Sequence, residues 1–320
     1  MNSILKPSTI GLTLLFLLFA HPIFALGKDA KVGTATDIEV TGKTQLTQLI
    51  EEQAALLFKA AEQSKPLPLV SQTSHDQFNL SQTSTDPYLI QKQFVQLLTQ
   101  NDTIIGFKAG LTSTAGQKKF GVNAPLTGVL FKKGVIRNRD DIRLSHYGKL
   151  MLETEFGFRV NQPINKPVES IDQLMAIVSS VAAVIELPDL RYTDLSKLTG
   201  FDLIASNVAS AGILVGNSLD FSQRGTHPDI SNINEINVSL SVRNADNNLK
   251  LVNQGTGSDA LGNQWQALQL LINQTVSQGY TITPEHILIT GALGSMVPAE
   301  SGDYEARFGP LQSIKFSIKP

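Results

Sequence analysis

The chain has 320 residues, with 26 lysines and arginines against 28 aspartates and glutamates, and it contains no cysteine. The formal net charge of −2 gives no basic surface field of the kind that nucleic-acid-binding proteins use. The absence of cysteine excludes disulfide bonds, thiolate metal sites and cysteine nucleophiles. A chain of this length that is 42% hydrophobic can bury one large core or two smaller ones.

The first 25 residues predict a secretory signal peptide. Lys6 is the only charge before an apolar run over residues 10–20, and a helix-breaking Pro22 follows before Ala25. The run is short for a membrane span, so an uncleaved anchor is the weaker alternative. We expect cleavage after Ala25 and a periplasmic or secreted mature protein without a stable membrane anchor.

Residues 26–102 are predicted to form an N-terminal arm and a helical subdomain. The polar stretch over residues 26–42 is typical of a linker or flexible arm. Apolar residues at helical spacing predict one helix over residues 44–63 and a second from Pro87 to Thr99.

Residues 103–320 are predicted to form a β-rich catalytic domain. Two helices are expected, around residues 171–179 and 264–278, among strands that show no regular strand–helix alternation. This pattern favours an α+β fold with a mixed or antiparallel sheet over a doubly wound parallel fold. The predicted strands cover residues 103–108, 128–131, 149–160, 182–187, 212–215, 236–242, 287–290 and 314–318.

An alternating segment carries two glutamates. In an extended strand, Glu153 and Glu155 share one face, about 7 Å apart, and repel each other unless a cation or water lies between them. Together with Glu186, they would be hard oxygen ligands suited to Mg²⁺, Mn²⁺ or Ca²⁺. The alternative is a solvated strand face with a charge pair. The opposite face comprises Leu152, Thr154, Phe156, Phe158 and Val160.

Lys108 lies at the end of a predicted strand and is followed by a Gly-Leu-Thr-Ser turn. An ammonium group beside exposed amides and hydroxyls can hold a carboxylate or polarise a ketone. A surface lysine next to a turn is the alternative interpretation.

Two further segments place small polar groups next to apolar strands. They are Ser206-Asn207, which a capped helix or turn would also explain, and Thr290-Gly291, where a strand end can place a hydroxyl and a backbone amide at the mouth of a pocket. The candidate substrate-binding residues are Leu111, Ser206, Asn207 and Thr290. The five histidines show no spacing typical of a metal site or of a nucleophile–base pair.

Taken in order, these segments resemble the 2-keto-4-pentenoate hydratase / 4-oxalocrotonate decarboxylase branch of the fumarylacetoacetate hydrolase superfamily. The resemblance covers about residues 46–319. The segments that carry it are residues 86–91, 106–113, 121–131, 152–156, 185–191, Asn207, 261–263, 290–293 and 302–303.

The resemblance implies a mixed β-roll core with a smaller N-terminal helical part, assembled into a homo-oligomer. It implies that Glu153, Glu155 and Glu186 bind one Mg²⁺ or Mn²⁺, which chelates the carboxylate and keto oxygens of a 2-oxo acid. Such a cation lowers the cost of forming an enolate. Lys108 matches the family's active-site lysine. The implied activity is that of a hydratase or decarboxylase acting on a small 2-oxo or 2-hydroxydienoic acid.

The chain departs from the family pattern at three places. Leu126 stands where an acid usually follows Pro125, the usual Asp-Asn-Ala-Ser is Ser-Asn-Val-Ala over residues 206–209, and Gln264 replaces a proline. These changes leave two alternatives open. One is a catalytically altered or inactive periplasmic protein that binds 2-oxo acids or dicarboxylates. The other is a C–C bond hydrolase of the superfamily, whose usual His–Glu base pair the sequence does not show.

Overall fold

The computed structural model describes residues 35–75, 78–79, 86–137, 141–221, 232–243 and 247–320. The predicted signal peptide lies outside these residues. The chain divides into two units, residues 1–44 and 45–320, and only the first turns of one helix are described in the first unit.

Six α-helices occur in the described part of the chain. The first begins at Ala35 rather than at residue 44, so residues 35–42, which we predicted as part of an arm, are helical; no proline interrupts this segment. The second begins after Asp86, whose side chain accepts a hydrogen bond from the Tyr88 amide. The helices are α1 (Ala35–Glu62), α2 (Pro87–Leu98), α3 (Thr114–Phe120), α4 (Ile171–Ile177), α5 (Gly200–Ala205) and α6 (Gln264–Ser277).

The strands of the described residues form two large sheets and one short hairpin. They are β1 (Ser74–His75), β2 (Phe78–Asn79), β3 (Ile104–Gly110), β4 (Leu126–Phe131), β5 (Ile142–Arg143), β6 (Met151–Val160), β7 (Val178–Leu187), β8 (Gly212–Asp220), β9 (Asn237–Arg243), β10 (Leu249–Thr256), β11 (Ile287–Ile289), β12 (Val297–Pro298), β13 (Gly302–Arg307) and β14 (Ser313–Lys319).

The first sheet has the order β4-β3-β11-β6-β7-β8, with β12 paired to β6, and the second has the order β10-β9-β13-β14-β5. Each contains one parallel pair, β3 with β11 and β5 with β14, among antiparallel ones. The predicted α+β fold with mixed sheets is therefore confirmed.

Strand β6 divides its side chains as the alternation predicted. Leu152, Phe156, Phe158 and Val160 are buried in the largest hydrophobic cluster, where α6 contributes Leu268. Burying each such side chain contributes about 1.5–3 kcal/mol.

Two smaller hydrophobic clusters complete the core. One joins α1, α2 and α5 through residues such as Leu57, Phe94 and Leu203. The other lies on the opposite face of the first sheet and comprises Leu130, Val184, Ile213, Ile287 and Ile289. Among the described residues, no helix has the length and apolar content that a membrane span needs.

Candidate metal centre

Three glutamate side chains meet on one face of the first sheet. Glu153 and Glu155 lie on β6, and Glu186 lies on β7 directly opposite Glu153. Each offers one carboxylate oxygen within 4.8 Å of the others. Glu155 and Glu186 are fully buried, whereas Glu153 is partly exposed, so the cluster is open to solvent on the Glu153 side.

Strand pairing brings Lys108 to the same face. Ile289 of β11 pairs with Lys108 on one side and with Gly157 on the other, and Gly157 shares its face of β6 with Glu155. The side chains of Lys108 and the glutamates therefore lie on the same face of the first sheet. Gly157 has no space for a side chain, because a Cβ there would lie 2.7 Å from Val184 Cγ2.

Lys108 is a buried ammonium group held by two partners. Its Nζ forms an ion pair with Glu186 Oε1 and donates a hydrogen bond to the Val208 carbonyl oxygen at 3.1 Å. Burial by itself would lower the pKa of Lys108, but the negative charges of Glu186, Glu153 and Glu155 outweigh it and raise that pKa above its ordinary value. The ammonium form of Lys108 is therefore favoured at neutral pH.

For the carboxyl groups, the surroundings favour the neutral form over the charged one. Burial raises the pKa of Glu153, the Glu186 charge raises it further, and Lys108 offsets part of this, leaving a pKa of about 8. Burial and the negative charges of Glu186 and Glu153 also raise the pKa of Glu155 well above its usual range. One ammonium thus does not compensate three neighbouring carboxylates.

The hydrogen bonding of these glutamates leaves two oxygens unpartnered. Glu155 Oε2 accepts a hydrogen bond from the Gly291 amide at 2.7 Å. Glu155 Oε1 and Glu186 Oε2 are buried without a hydrogen-bond partner among the described residues. Such atoms are costly to bury. Because all the possible metal ligands in this cluster are carboxylate oxygens, the arrangement fits a hard divalent cation.

The predicted substrate-binding residues near α5 are hydrogen-bonded within the protein. Asn207 accepts a hydrogen bond from the Val129 amide at 2.7 Å and donates one to the Val129 carbonyl at 2.9 Å. Ser206 donates to the Asp202 carbonyl at 2.6 Å and lies 2.7 Å from the Tyr192 hydroxyl. Both side chains hold the local backbone together, and their contact with a substrate stays a prediction.

The other two predicted substrate-binding residues lie at turns. The Thr290 hydroxyl is buried and donates to Gln264 Oε1 at 2.6 Å. Leu111 is partly buried, has a φ of +52° and packs against the hydrophobic cluster of α1, α2 and α5. Their role in substrate binding also stays a prediction.

Two backbone groups contribute to the site, and only the second lies in a segment whose role was predicted from the sequence. Asn207, Val208 and Ala209 all have positive φ, which is uncommon for residues other than glycine, and this segment presents the Val208 carbonyl to Lys108. Gly291, at φ +107°, directs its amide at Glu155 and would collide with Thr112 if it carried a Cβ, at 2.5 Å. The Thr290-Gly291 pattern predicted a hydroxyl and a backbone amide here, and the amide is the group that reaches the glutamate.

The position of the missing family acid is apolar in the structure too. Leu126 is buried in the cluster formed by α1, α2 and α5. Its neighbour Thr127 is also buried; its amide donates to the Tyr88 hydroxyl at 3.0 Å, and its hydroxyl accepts from Gln278 at 2.7 Å.

Two clefts of about 400 and 650 Å³ lie elsewhere on the described surface, and neither is lined by Lys108 or the three glutamates. Ser206 and Asn207 line the larger cleft together with His146. His286, another histidine with a described side chain, packs edge-on against Phe107 at 5.4 Å. Neither of these two histidines contacts the glutamate cluster.

No family model matches the chain. It is 27% identical over 267 residues to the 2-keto-4-pentenoate hydratase of Paraburkholderia xenovorans (strain LB400), covering 83% of this chain and 93% of that protein. It is 24% identical over 204 residues to the 4-oxalocrotonate decarboxylase of Pseudomonas sp. (strain CF600), covering 64% and 73%. A structure of 4-oxalocrotonate decarboxylase from Pseudomonas putida G7, complexed with magnesium and adipate, superposes with a TM-score of 0.73 at 20% identity, over 85% of this chain and 97% of that one.

Proposed function

The chain belongs to the fumarylacetoacetate hydrolase superfamily, in the branch of 2-keto-4-pentenoate hydratases and 4-oxalocrotonate decarboxylases, and on that basis we propose that it is a metal-dependent lyase. Its substrate is a small 2-oxo or 2-hydroxydienoic acid. The ion is Mg²⁺ or Mn²⁺, held by Glu153, Glu155 and Glu186. The observation that carries the proposal is the pair of buried, unpartnered carboxylate oxygens beside a buried lysine.

The residues of this chain divide the work by charge. When bound, a divalent cation at this site supplies Lewis-acid stabilisation of the negative charge that develops on an enolate oxygen. Lys108 supplies a second, fixed positive charge on the same face, held in place by Glu186 and the Val208 carbonyl. Its Nζ is also the group that can hold or move a proton there. Leu126, buried in the cluster of α1, α2 and α5, offers no proton donor or acceptor in its side chain.

Turnover is the test of this proposal. Metal-stripped protein is incubated with 2-hydroxydienoic and 2-oxo acids, with and without Mg²⁺ or Mn²⁺, and substrate loss and CO₂ release are measured. We expect turnover only with the ion, and a Lys108→Met variant that binds the ion but loses at least about 100-fold in rate. Metal-independent turnover, or an equally active Lys108→Met variant, would contradict the mechanism.

A second candidate is a protein that binds a metal and a 2-oxo acid or dicarboxylate without converting it. The burial of Leu126 where the family carries an acid favours it. Calorimetry showing binding of a 2-oxo acid in the presence of Mn²⁺, with unchanged acid by mass spectrometry, would support this candidate.

Export and assembly belong to the proposal as well. We propose cleavage after Ala25, a periplasmic or secreted location, and a homo-oligomer. The mass of the mature N-terminus tests the first, fractionation of cells tests the second, and light scattering of the purified protein tests the third. An intact N-terminus in the cytoplasmic fraction would overturn the export proposal.

A further inference from the structure

Gln264 is a fully buried polar residue at the start of α6 that forms hydrogen bonds at both ends of its amide. Its Nε2 donates to the Gly257 carbonyl at 2.7 Å, and its Oε1 accepts from the Thr290 hydroxyl at 2.6 Å. The Gln264 side chain is not needed to cap α6, because Asn263 accepts hydrogen bonds from the Trp265 and Gln266 amides. The amide therefore has another structural purpose.

The bond from Gln264 ends one residue away from the glutamate cluster. Thr290 is followed by Gly291, whose amide donates to Glu155 Oε2 at 2.7 Å. The Thr290 amide is held only by a longer bond of 3.3 Å to the Phe156 carbonyl, and its hydroxyl lies at the same distance from that oxygen. The shorter bond to Gln264 is thus the tighter restraint on the peptide that joins Thr290 to Gly291.

We propose that Gln264 is a positioning residue for Glu155, acting through Thr290 and the Gly291 amide. With Oε2 engaged by Gly291, the Glu155 carboxylate is oriented so that the unpartnered Oε1 remains available to a cation. This inference rests on the proposed metal-binding function. It assigns to this chain a support that a proline, the residue at this position in the family pattern, has no side-chain amide to provide.

The test compares variants that remove one end of the Gln264–Thr290 bond. Gln264→Leu and Thr290→Val keep the size of the side chains, and Thr290→Ser keeps the hydroxyl. Gln53→Leu is the matched control, because Gln53 is an equally buried glutamine whose Oε1 accepts from Thr73 in another cluster. Melting curves first establish which variants are folded.

The first readout is the Mn²⁺ affinity by calorimetry. We expect Gln264→Leu and Thr290→Val each to lose about 10-fold, the range seen when hydrogen-bond partners of metal ligands are removed. The double variant should lose no more than either single one, because the two residues act through one bond. Thr290→Ser and Gln53→Leu should bind as the unmodified protein does. Unchanged affinity in Gln264→Leu, or additive losses, would overturn the inference.

The second readout needs no metal. In metal-free protein, the Gly291 amide proton should resonate downfield, as expected for a short bond to a carboxylate, and should move upfield in Gln264→Leu and Thr290→Val but not in Gln53→Leu. An unmoved Gly291 resonance in folded Gln264→Leu overturns the positioning role alone. Absence of Mn²⁺ binding in the unmodified protein, with a shifted Gly291 resonance, instead overturns the proposed function.

Discussion

Glu155 combines, in one side chain, a satisfied oxygen and an unsatisfied one. Its Oε2 is bonded to the Gly291 amide, and its Oε1 is buried without a partner among the described residues. A carboxylate in this state is destabilised by burial and by two neighbouring acids, which together raise its pKa. A cation would offset both effects, because it compensates the negative charge and supplies the missing partner.

We expect Glu155→Gln to lower the Mn²⁺ affinity by more than about 100-fold, beyond the loss expected for a residue outside the ligand set. The amide keeps the size of the side chain and can still accept from Gly291, but its NH₂ group then faces the cation position. Calorimetry measures the affinity, with Glu300→Gln, an exposed glutamate, as the control. Equal affinities for Glu155→Gln and the control would remove Glu155 from the ligand set.

The pH dependence of metal binding follows from Glu153. With a pKa of about 8, this carboxyl group is largely protonated at pH 6, and an incoming ion must displace the proton. The apparent Mg²⁺ affinity should therefore rise from pH 6 to pH 8 and level off above about pH 8. Titrations at four pH values check this, and an affinity that does not change between pH 6 and pH 8 would contradict it.

At the scale of elements, β4 is an edge strand that the α5–β8 connection covers. The Val129 amide and carbonyl each form a hydrogen bond with the Asn207 side chain. The Ser210 hydroxyl also donates to the Val129 carbonyl at 2.9 Å. Asn207 thus takes the place of a further strand on an edge that would otherwise be open. The same segment supplies the Val208 carbonyl to Lys108 on the neighbouring strand β3.

We expect Asn207→Leu to lower the free energy of unfolding by about 2–4 kcal/mol, because it leaves the Val129 amide buried without a partner and removes a bond from its carbonyl. Chemical denaturation measures this. Asn217→Leu is the control, since Asn217 is exposed and bonded to Gln312 at 3.1 Å. If Asn207→Leu, like the control, changed the free energy of unfolding by less than about 0.5 kcal/mol, the hydrogen bonds between Asn207 and Val129 would have no stabilising role.

The elements that could be predicted are those with a clear period. The alternation over β6 and the helical spacing over α2 identified these elements to within a few residues. By contrast, α5 is a six-residue helix defined by a capping box between Thr199 and Asp202, too short to show a period. Strand β10 was missed because a bulge between Leu251 and Asn253 interrupts its alternation.

At the scale of the whole molecule, the glutamate cluster couples folding to pH. In the folded state, burial and the Glu186 charge raise the pKa of Glu153 from its ordinary value to about 8. A raised carboxyl pKa contributes stability that is fully present below the unfolded pKa and is lost as the pH rises through the folded pKa. The metal-free protein should therefore lose stability between about pH 5 and pH 8.

We expect the Tm of the metal-free protein to be lower at pH 8.5 than at pH 6, and Mg²⁺ to raise the Tm more at pH 8.5, where the carboxylates are ionised. Calorimetric scans at both pH values, with and without the ion, measure this. Glu153→Gln should flatten the pH dependence in the metal-free state. A Tm shift from Mg²⁺ that is larger at pH 6 would contradict the prediction.

The sequence by itself determined what depends on local period and residue type. These are the two faces of β6, the position of Glu153 and Glu155 on the same face, and a mixed fold without disulfides. Only the tertiary structure decided which groups meet there. Lys108 contacts Glu186 across 78 positions and Gly291 contacts Glu155 across 136, because strand register, not local pattern, sets these distances. The positive φ of Val208 was likewise decided by packing, since valine by itself disfavours that conformation. Packing also brings Gln264 and Thr290, which are 26 positions apart, into hydrogen-bond contact.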